Sequence, residues 1–88
     1  MITSTNNVTL QVQAKSVRFE GDIIHVLLSD GRDISVSLHQ FDWLKWLANA
    51  PQEKREKWSI EPNGYAIYWD DLDDGIEVEH LLSMQPLN

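Results

Sequence analysis

Four aspartates, Asp70, Asp71, Asp73 and Asp74, crowd the stretch "GYAIYWDDLDDGIEVEHLL" from Gly64 to Leu82. Runs this rich in oxygen donors can hold a hard cation, carry acid–base chemistry, face a partner or cap a helix. A calcium loop needs oxygen donors at its positions one, three, five and twelve, with glycine at six. Counting back from Gly75 places Asp70 first, Leu72 third, Asp74 fifth and Leu81 twelfth. Two donor positions are leucine, so no specific divalent ion is expected there. A catalytic carboxylate pair would need a cleft that splits two pKa values, which an exposed capping loop does not supply. Capping suits these residues better. Asp73 or Asp74 can accept the free N–H groups of a following helix. Glu77 and Glu79 then fall in its first turn, where negative charge complements the dipole. With Asp74 as the cap, Glu77 stands three residues on, as in a capping box. Asp70 and Asp71 remain as solvated charge beside Trp69, an aromatic–acidic combination that suits contact with Arg or Lys.

The other residue types that carry chemistry point the same way. The chain has no cysteine, so it has no disulfide, thiolate ligand or thiol nucleophile. His25 lies in an apolar run, His39 at a helix start and His80 near the C-terminus. Glu77 and His80 are spaced to share a metal, but a catalytic zinc takes three protein ligands and no second cluster accompanies them. Ser29, Ser35, Ser37 and Ser59 lack a nucleophile-elbow context. No catalytic residue, metal or cofactor is assigned, and no enzyme activity is expected. Four tryptophans, Trp43, Trp46, Trp58 and Trp69, are too many for so small a core to bury fully. Trp43 and Trp46 fall off the Phe41/Leu44 helical face as a second apolar stripe. Trp46 and Trp69, with Asp70 and Asp71, are therefore the candidate partner-contact residues.

The elements that must position these residues follow from hydrophobic period and turn chemistry. Residues 1–7 are polar and expected to be flexible, as are 85–88; residues 8–84 are expected to form one α+β domain. Leu10, Val12, Ala14, Val17 and Phe19 read as a strand with an irregularity near Lys15-Ser16. "IIHVLLS" is a denser, buried strand. Asp30-Gly31 is a hairpin signal of the two-residue type I′ kind, which needs positive φ at both residues. "DISVSL" returns with Ile34, Val36 and Leu38 on one face. "HQFDWLKWLANA" then takes a helical period, with Phe41, Leu44 and Leu47 or Ala48 together. Pro51 suits a first helical position, and the alternating charges of "QEKREKW" mark a solvated face. "WSIEP" and "YAIYW" flank the turn "NG" as a C-terminal hairpin, with Tyr65, Ile67 and Trp69 pointing one way. "IEVEHLLSM" ends the chain as a short helix. The architecture expected is α+β: a small antiparallel sheet, a β-meander plus the C-terminal hairpin, packed with two or three short helices.

The motifs "DGRDISVSL", "APQEKREKW" and "GYAIYWDDLDDGIEVEHLL" resemble family 2442 of the domain-of-unknown-function series, a bacterial family, from about Val8 to Leu82. The terminal stretch is the specific part. Ala66 stands where the family usually has a second glycine, and Tyr68 where it often has histidine. Asp70 and Asp42 stand where prolines are common. A histidine-dependent chemistry is not carried over to Tyr68. The resemblance implies a small α+β domain that stands alone, sits beside another small protein or is joined to a helix-turn-helix domain; the reading here is the form without that extension. The family's two-gene settings imply antitoxin-like or regulatory partners.

Charge and composition set the surroundings. Hydrophobic residues make up 42% and charged residues 24%, which suits a globular domain rather than a disordered one. The N-terminus has no basic start with an apolar run, and no segment is long and apolar enough to span a membrane. A cytoplasmic setting is expected. Seven Lys+Arg against fourteen Asp+Glu give a formal charge of −7, which opposes direct contact with nucleic acid and favours encounter with a basic partner. The expected function is a non-enzymatic acidic protein-interaction domain, antitoxin-like or regulatory, with homodimerisation left open. The alternatives are a nucleic-acid-mimicking inhibitor of a nucleic-acid-binding protein, and a small enzyme or metal-binding protein.

Overall fold

The computed structural model describes residues 12–83. The expected flexible termini, 1–7 and 85–88, and the first strand residues near Leu10 lie outside those residues. Two three-stranded antiparallel meanders carry the fold, joined by short helices. The first contains β1 (Ala14–Glu20), β2 (Ile23–Leu28) and β3 (Asp33–Ser37), in that spatial order. Val26 pairs with Val17 on one side and Ile34 on the other, and Ile24 with Phe19 and Val36. This register puts one apolar row of each strand on the core face. The irregularity expected near Lys15-Ser16 is a register shift between Ala14 and Ser16. It resets the parity of β1, so that Ala14 and Val17, three residues apart, are both buried.

The Asp30-Gly31 tip joins β2 to β3, but not as a type I′ turn. Leu28 O accepts from Gly31 N at 3.0 Å, and Leu28 N donates to Arg32 O at 2.8 Å. Gly31 has φ +94°, whereas Asp30 keeps a negative φ. The loop is thus a tight turn over Ser29-Asp30 followed by a glycine bulge, the commonest three-residue hairpin. The Asp30 carboxylate explains the preference, because it accepts from both Arg32 N (3.1 Å) and Arg32 Nε (2.8 Å).

The helical segment is broken into a 3-10 turn, Asp42–Leu44, and α1 (Lys45–Ala48). Leu44 and Leu47 are fully buried from it. α2 (Gln52–Arg55) follows Pro51, which sits one residue outside the helix as its N-cap rather than in its first turn. The second meander contains β4 (Ser59–Ile60), β5 (Ala66–Trp69) and β6 (Asp74–Glu77), in that order. The expected C-terminal hairpin is there, with a third strand added. α3 (Val78–Ser83) closes the described residues.

β6 corrects the expectation that Asp74 and Glu77 form a helix capping box. A 3-10 turn at Asp70–Leu72 ends on Asp73, which takes a left-handed conformation at φ 52° and turns the chain back on itself. Asp74 then lies opposite Trp69 and Ile76 opposite Ile67. The Asp74 carboxylate accepts from Gly75 N at 2.8 Å instead of from a helix. Strand pairing wins because it buries Ile76 to 1% exposure, which a solvated first helical turn would not.

The cores of the two meanders merge: Ile24, Val26, Ile67, Trp69, Ile76 and Leu81 belong to one cluster. A backbone bond from Ala14 N to Gly64 O (2.7 Å) ties the sheets at one end. Among the described residues no helix is long and apolar enough to cross a membrane.

Candidate functional site

Trp69 is not a contact residue. Strand parity directs Ile67 and Trp69 inward, and Trp69 is fully buried. Its indole Nε1 donates to Arg55 O at 2.8 Å, so its polar atom is satisfied inside. Trp46 lies over it edge-on, ring centroids 5.5 Å apart, and donates from its own Nε1 to Trp43 O at 2.8 Å. Trp46 is half-buried, a lid on the core with one edge at the surface. Tyr65, expected to share the inward face of Ile67 and Trp69, precedes the strand and is 38% exposed.

Asp70 and Asp71 are exposed, as expected, in the 3-10 turn after β5. Asp71 lies 3.8 Å from Lys57 Nζ. Asp73 accepts from the Tyr68 hydroxyl at 2.6 Å. That bond, backed by some burial and by the charges of Asp73, Asp70 and Asp74, pushes the Tyr68 phenol up to about 12. Tyr68 is therefore a locked proton donor to a loop carboxylate.

Charge divides along the chain. Residues 1–57 carry seven acids and all seven Lys+Arg, while residues 58–88 carry seven acids and no Lys or Arg. The entire formal charge of −7 thus belongs to the second meander and α3. This partition is visible in the residue order alone, and it is the signal that best locates an acidic face. In the first meander each acid has a partner: Glu20 contacts His25, Asp22 contacts His39 and Arg55, Asp30 contacts Arg32 and Asp33 contacts Arg18. In the second, Asp71–Lys57 is the one such pair among the described residues.

A groove of about 440 Å³ opens on the acidic half, where the β5–β6 ladder ends and α3 begins. Val78 N donates to Tyr65 O at 2.9 Å there and holds the two walls together. Val12, Tyr65, Ala66, Val78 and Leu82 give it apolar surface, and Glu77 and Glu79 line it too, so its wall is mixed. Both glutamates are exposed. Asp70, Asp71 and Trp46 do not line this groove. Sequence reasoning missed it because Glu77 and Glu79 looked like helix-dipole partners.

Sequence reasoning also missed two polar networks. Arg55, expected on a solvated face, is 6% exposed. Its Nε donates to Leu47 O (3.1 Å), one terminal nitrogen to Gly21 O (3.1 Å) and the other to Ala48 O (2.7 Å), and it pairs with Asp22 at 3.0 Å. The sequence carries no local signal for it, because Arg55 stands among Lys54 and Lys57 in a run of alternating charge that reads as solvated. On the outward face of the first sheet, His25 Nδ1 meets Ser35 Oγ at 2.7 Å and Nε2 meets Glu20 Oε1 at 2.9 Å. The set matches a nucleophile–base–carboxylate relay in composition. It spans the outward sheet face, and it lines neither the groove beside Tyr65 nor a second one between Leu38 and Asn49. Its evident work is to clamp β1 and β3 across β2. Among the described residues no group of three or more His, Asp or Glu is placed to hold a metal ion.

With this geometry in view, the comparisons with known proteins are consistent with one another. The family described as "Protein of unknown function (DUF2442)" matches residues 14–85. No curated protein matches the chain. A crystal structure of a protein of unknown function from Rhodospirillum rubrum superposes with a TM-score of 0.69 at 19% identity, covering 83% of this chain and 87% of that one. The solution structure of an uncharacterized protein from Chromobacterium violaceum also gives 0.69, at 17% identity, covering 90% of this chain and 71% of that one. At these identities the likeness is one of fold.

Proposed function

The chain belongs to the DUF2442 family, and from that premise we propose that it is a non-enzymatic acidic interaction domain, regulatory or antitoxin-like, that binds a basic protein partner in the cytoplasm. The charge partition carries this reading. Seven acids in a stretch with no Lys or Arg of its own, only Asp71 of them in an ion pair among the described residues, raise the local concentration of cationic partners and speed encounter. Residues 1–57, whose seven acids and seven Lys+Arg balance, then serve as the scaffold. Apolar surface in the half-buried Trp46, and in the groove beside Tyr65, supplies area for short-range burial once the partner has been steered in.

Capture from the native host tests this. The tagged domain is expected to retain a stoichiometric basic protein that survives nuclease treatment and elutes as salt rises. The double variant Asp70→Lys/Asp71→Lys is expected to fold and to associate more slowly, with a weaker salt dependence of the on-rate. Retention of an acidic or neutral protein, or unchanged association of the variant at low salt, would remove the electrostatic basis of the proposal. A captured protein that gives up bound nucleic acid when the domain binds would favour a nucleic-acid mimic.

A further inference from the structure

We infer that the groove between Tyr65 and Leu82 receives a short linear segment of the basic partner, with an apolar side chain set into the groove and arginines beside Glu77 and Glu79. This rests on the reading of the domain as an acidic interaction module and names the place and the chemistry of contact. Three observations fix the occupant. First, the groove carries apolar surface from Val12, Ala66, Val78 and Leu82 with the 38%-exposed Tyr65, alongside polar surface, so it can take an apolar side chain next to a charged one. Second, Glu77 and Glu79 flank Val78 at its edge, both are exposed, and neither has an ion-pair partner among the described residues. Third, residues 58–88 hold no Lys or Arg, so that stretch supplies no cation of its own for these carboxylates. A guanidinium fits them best, because it meets carboxylates in a bidentate fork and also lies flat on an aromatic face, here Tyr65. At about 440 Å³ the groove is at the small end of ligand sites, which suits a side-chain anchor rather than a folded surface. A second copy of this chain is disfavoured there, since the same acids would face each other.

Titration of the full chain with a short fluorescein-labelled peptide, one leucine flanked on both sides by arginines, tests the assignment. Two control peptides replace the leucine by alanine or the arginines by glutamate. Fluorescence anisotropy is expected to show binding of the first peptide, weaker binding of the alanine control and none of the glutamate control. Amide shifts in 15N spectra are expected at Tyr65, Ala66, Val78 and Leu82. Glu77→Gln/Glu79→Gln is expected to weaken binding roughly tenfold, the scale of two exposed charge contacts. Glu53→Gln/Glu56→Gln, exposed acids at α2 that do not line the groove, is expected to leave it within about twofold, as remote exposed charges do. Salt-dependent binding with shifts centred on Asp70 and Asp71, or insensitivity to Glu77→Gln/Glu79→Gln, would overturn the groove and leave the acidic-domain reading standing. No binding of the arginine peptide would overturn the groove as well, and the host-capture experiment then decides the broader reading independently.

Discussion

Arg55 donates to the carbonyls of Leu47, Gly21 and Ala48 and reaches Asp22, so a single guanidinium joins the end of α1 to the β1–β2 turn. No other side chain type spans these acceptors, since lysine offers one point charge in place of a planar fork. Arg55→Ala is expected to cost about 3 kcal/mol or more, because the abandoned buried carbonyls lose their donors. In a domain of this size that is a fall in Tm on the order of 15 °C, and a calorimetric Tm within a few degrees of wild type would show that water replaces the fork freely. The carboxyl of Asp22 is held below the ordinary carboxylate range, first by its hydrogen bond with His39 and then by that with Arg55. Its contribution is therefore present above the ordinary carboxylate pKa and is lost as pH falls through the depressed value. Asp22→Asn is expected to be less stable than wild type at neutral pH and to converge with it in strong acid; a constant gap across the acid titration would contradict this. Tyr68 works at the opposite end. The folded chain holds its phenolic proton more tightly than the unfolded chain does, chiefly through Asp73. The contribution is full below the ordinary tyrosine pKa near 10 and is lost as pH rises through about 12. Ultraviolet titration of phenolate is expected to show a late step that Tyr68→Phe removes and Asp73→Asn moves to lower pH.

Two glycines separate the two ways an element can depend on a missing side chain. Gly31 is needed for its backbone: φ is +94° and a Cβ there would meet nothing within 4 Å. Gly75 is needed for its space: a Cβ would lie 2.6 Å from Ile67 O, inside the β5–β6 ladder. Gly31→Ala is expected to cost about 1 kcal/mol, the price of a left-handed residue. Gly75→Ala is expected to cost about 2 kcal/mol or more, since the obstruction is backbone that must move and the ladder holds it. Urea denaturation midpoints rank the two, and the reverse order would show that β6 shifts away from β5 with little loss. The same contrast explains how much of the site the sequence revealed. The Asp30-Gly31 hairpin was legible because its signal is local. The β6 strand was not, because Asp73 had to turn left-handed and Gly75 had to fit under Ile67 before Ile76 could reach the core.

Across the whole molecule, a charge-balanced first part, residues 1–57, supports an acidic second part. Self-repulsion among seven acids on one half opposes compaction, and salt relieves it. Raising sodium chloride from about 10 mM to about 300 mM shortens the screening length severalfold and is expected to raise Tm. A fall would mean that the ion pairs of the first meander outweigh the repulsion in the second. The same change of salt is expected to weaken partner binding, so stability and association should respond in opposite directions.

The order of residues alone determined the α+β class, the first meander, the exposure of Asp70 and Asp71, and the family resemblance. These depend on period-two alternation, turn residues and charge, which act over a few neighbours. The interior position of Trp69, the choice of Arg55 over Lys54 and Lys57 for burial, and the strand pairing of Asp74–Glu77 were decided by tertiary structure. In each case the deciding partner is distant in the chain: Arg55 carbonyl for Trp69, Gly21 and Leu47 for Arg55, Ile67 for Ile76. Local preference could not rank these alternatives, because the energy that separates them is burial and hydrogen bonding that exists only in the folded core.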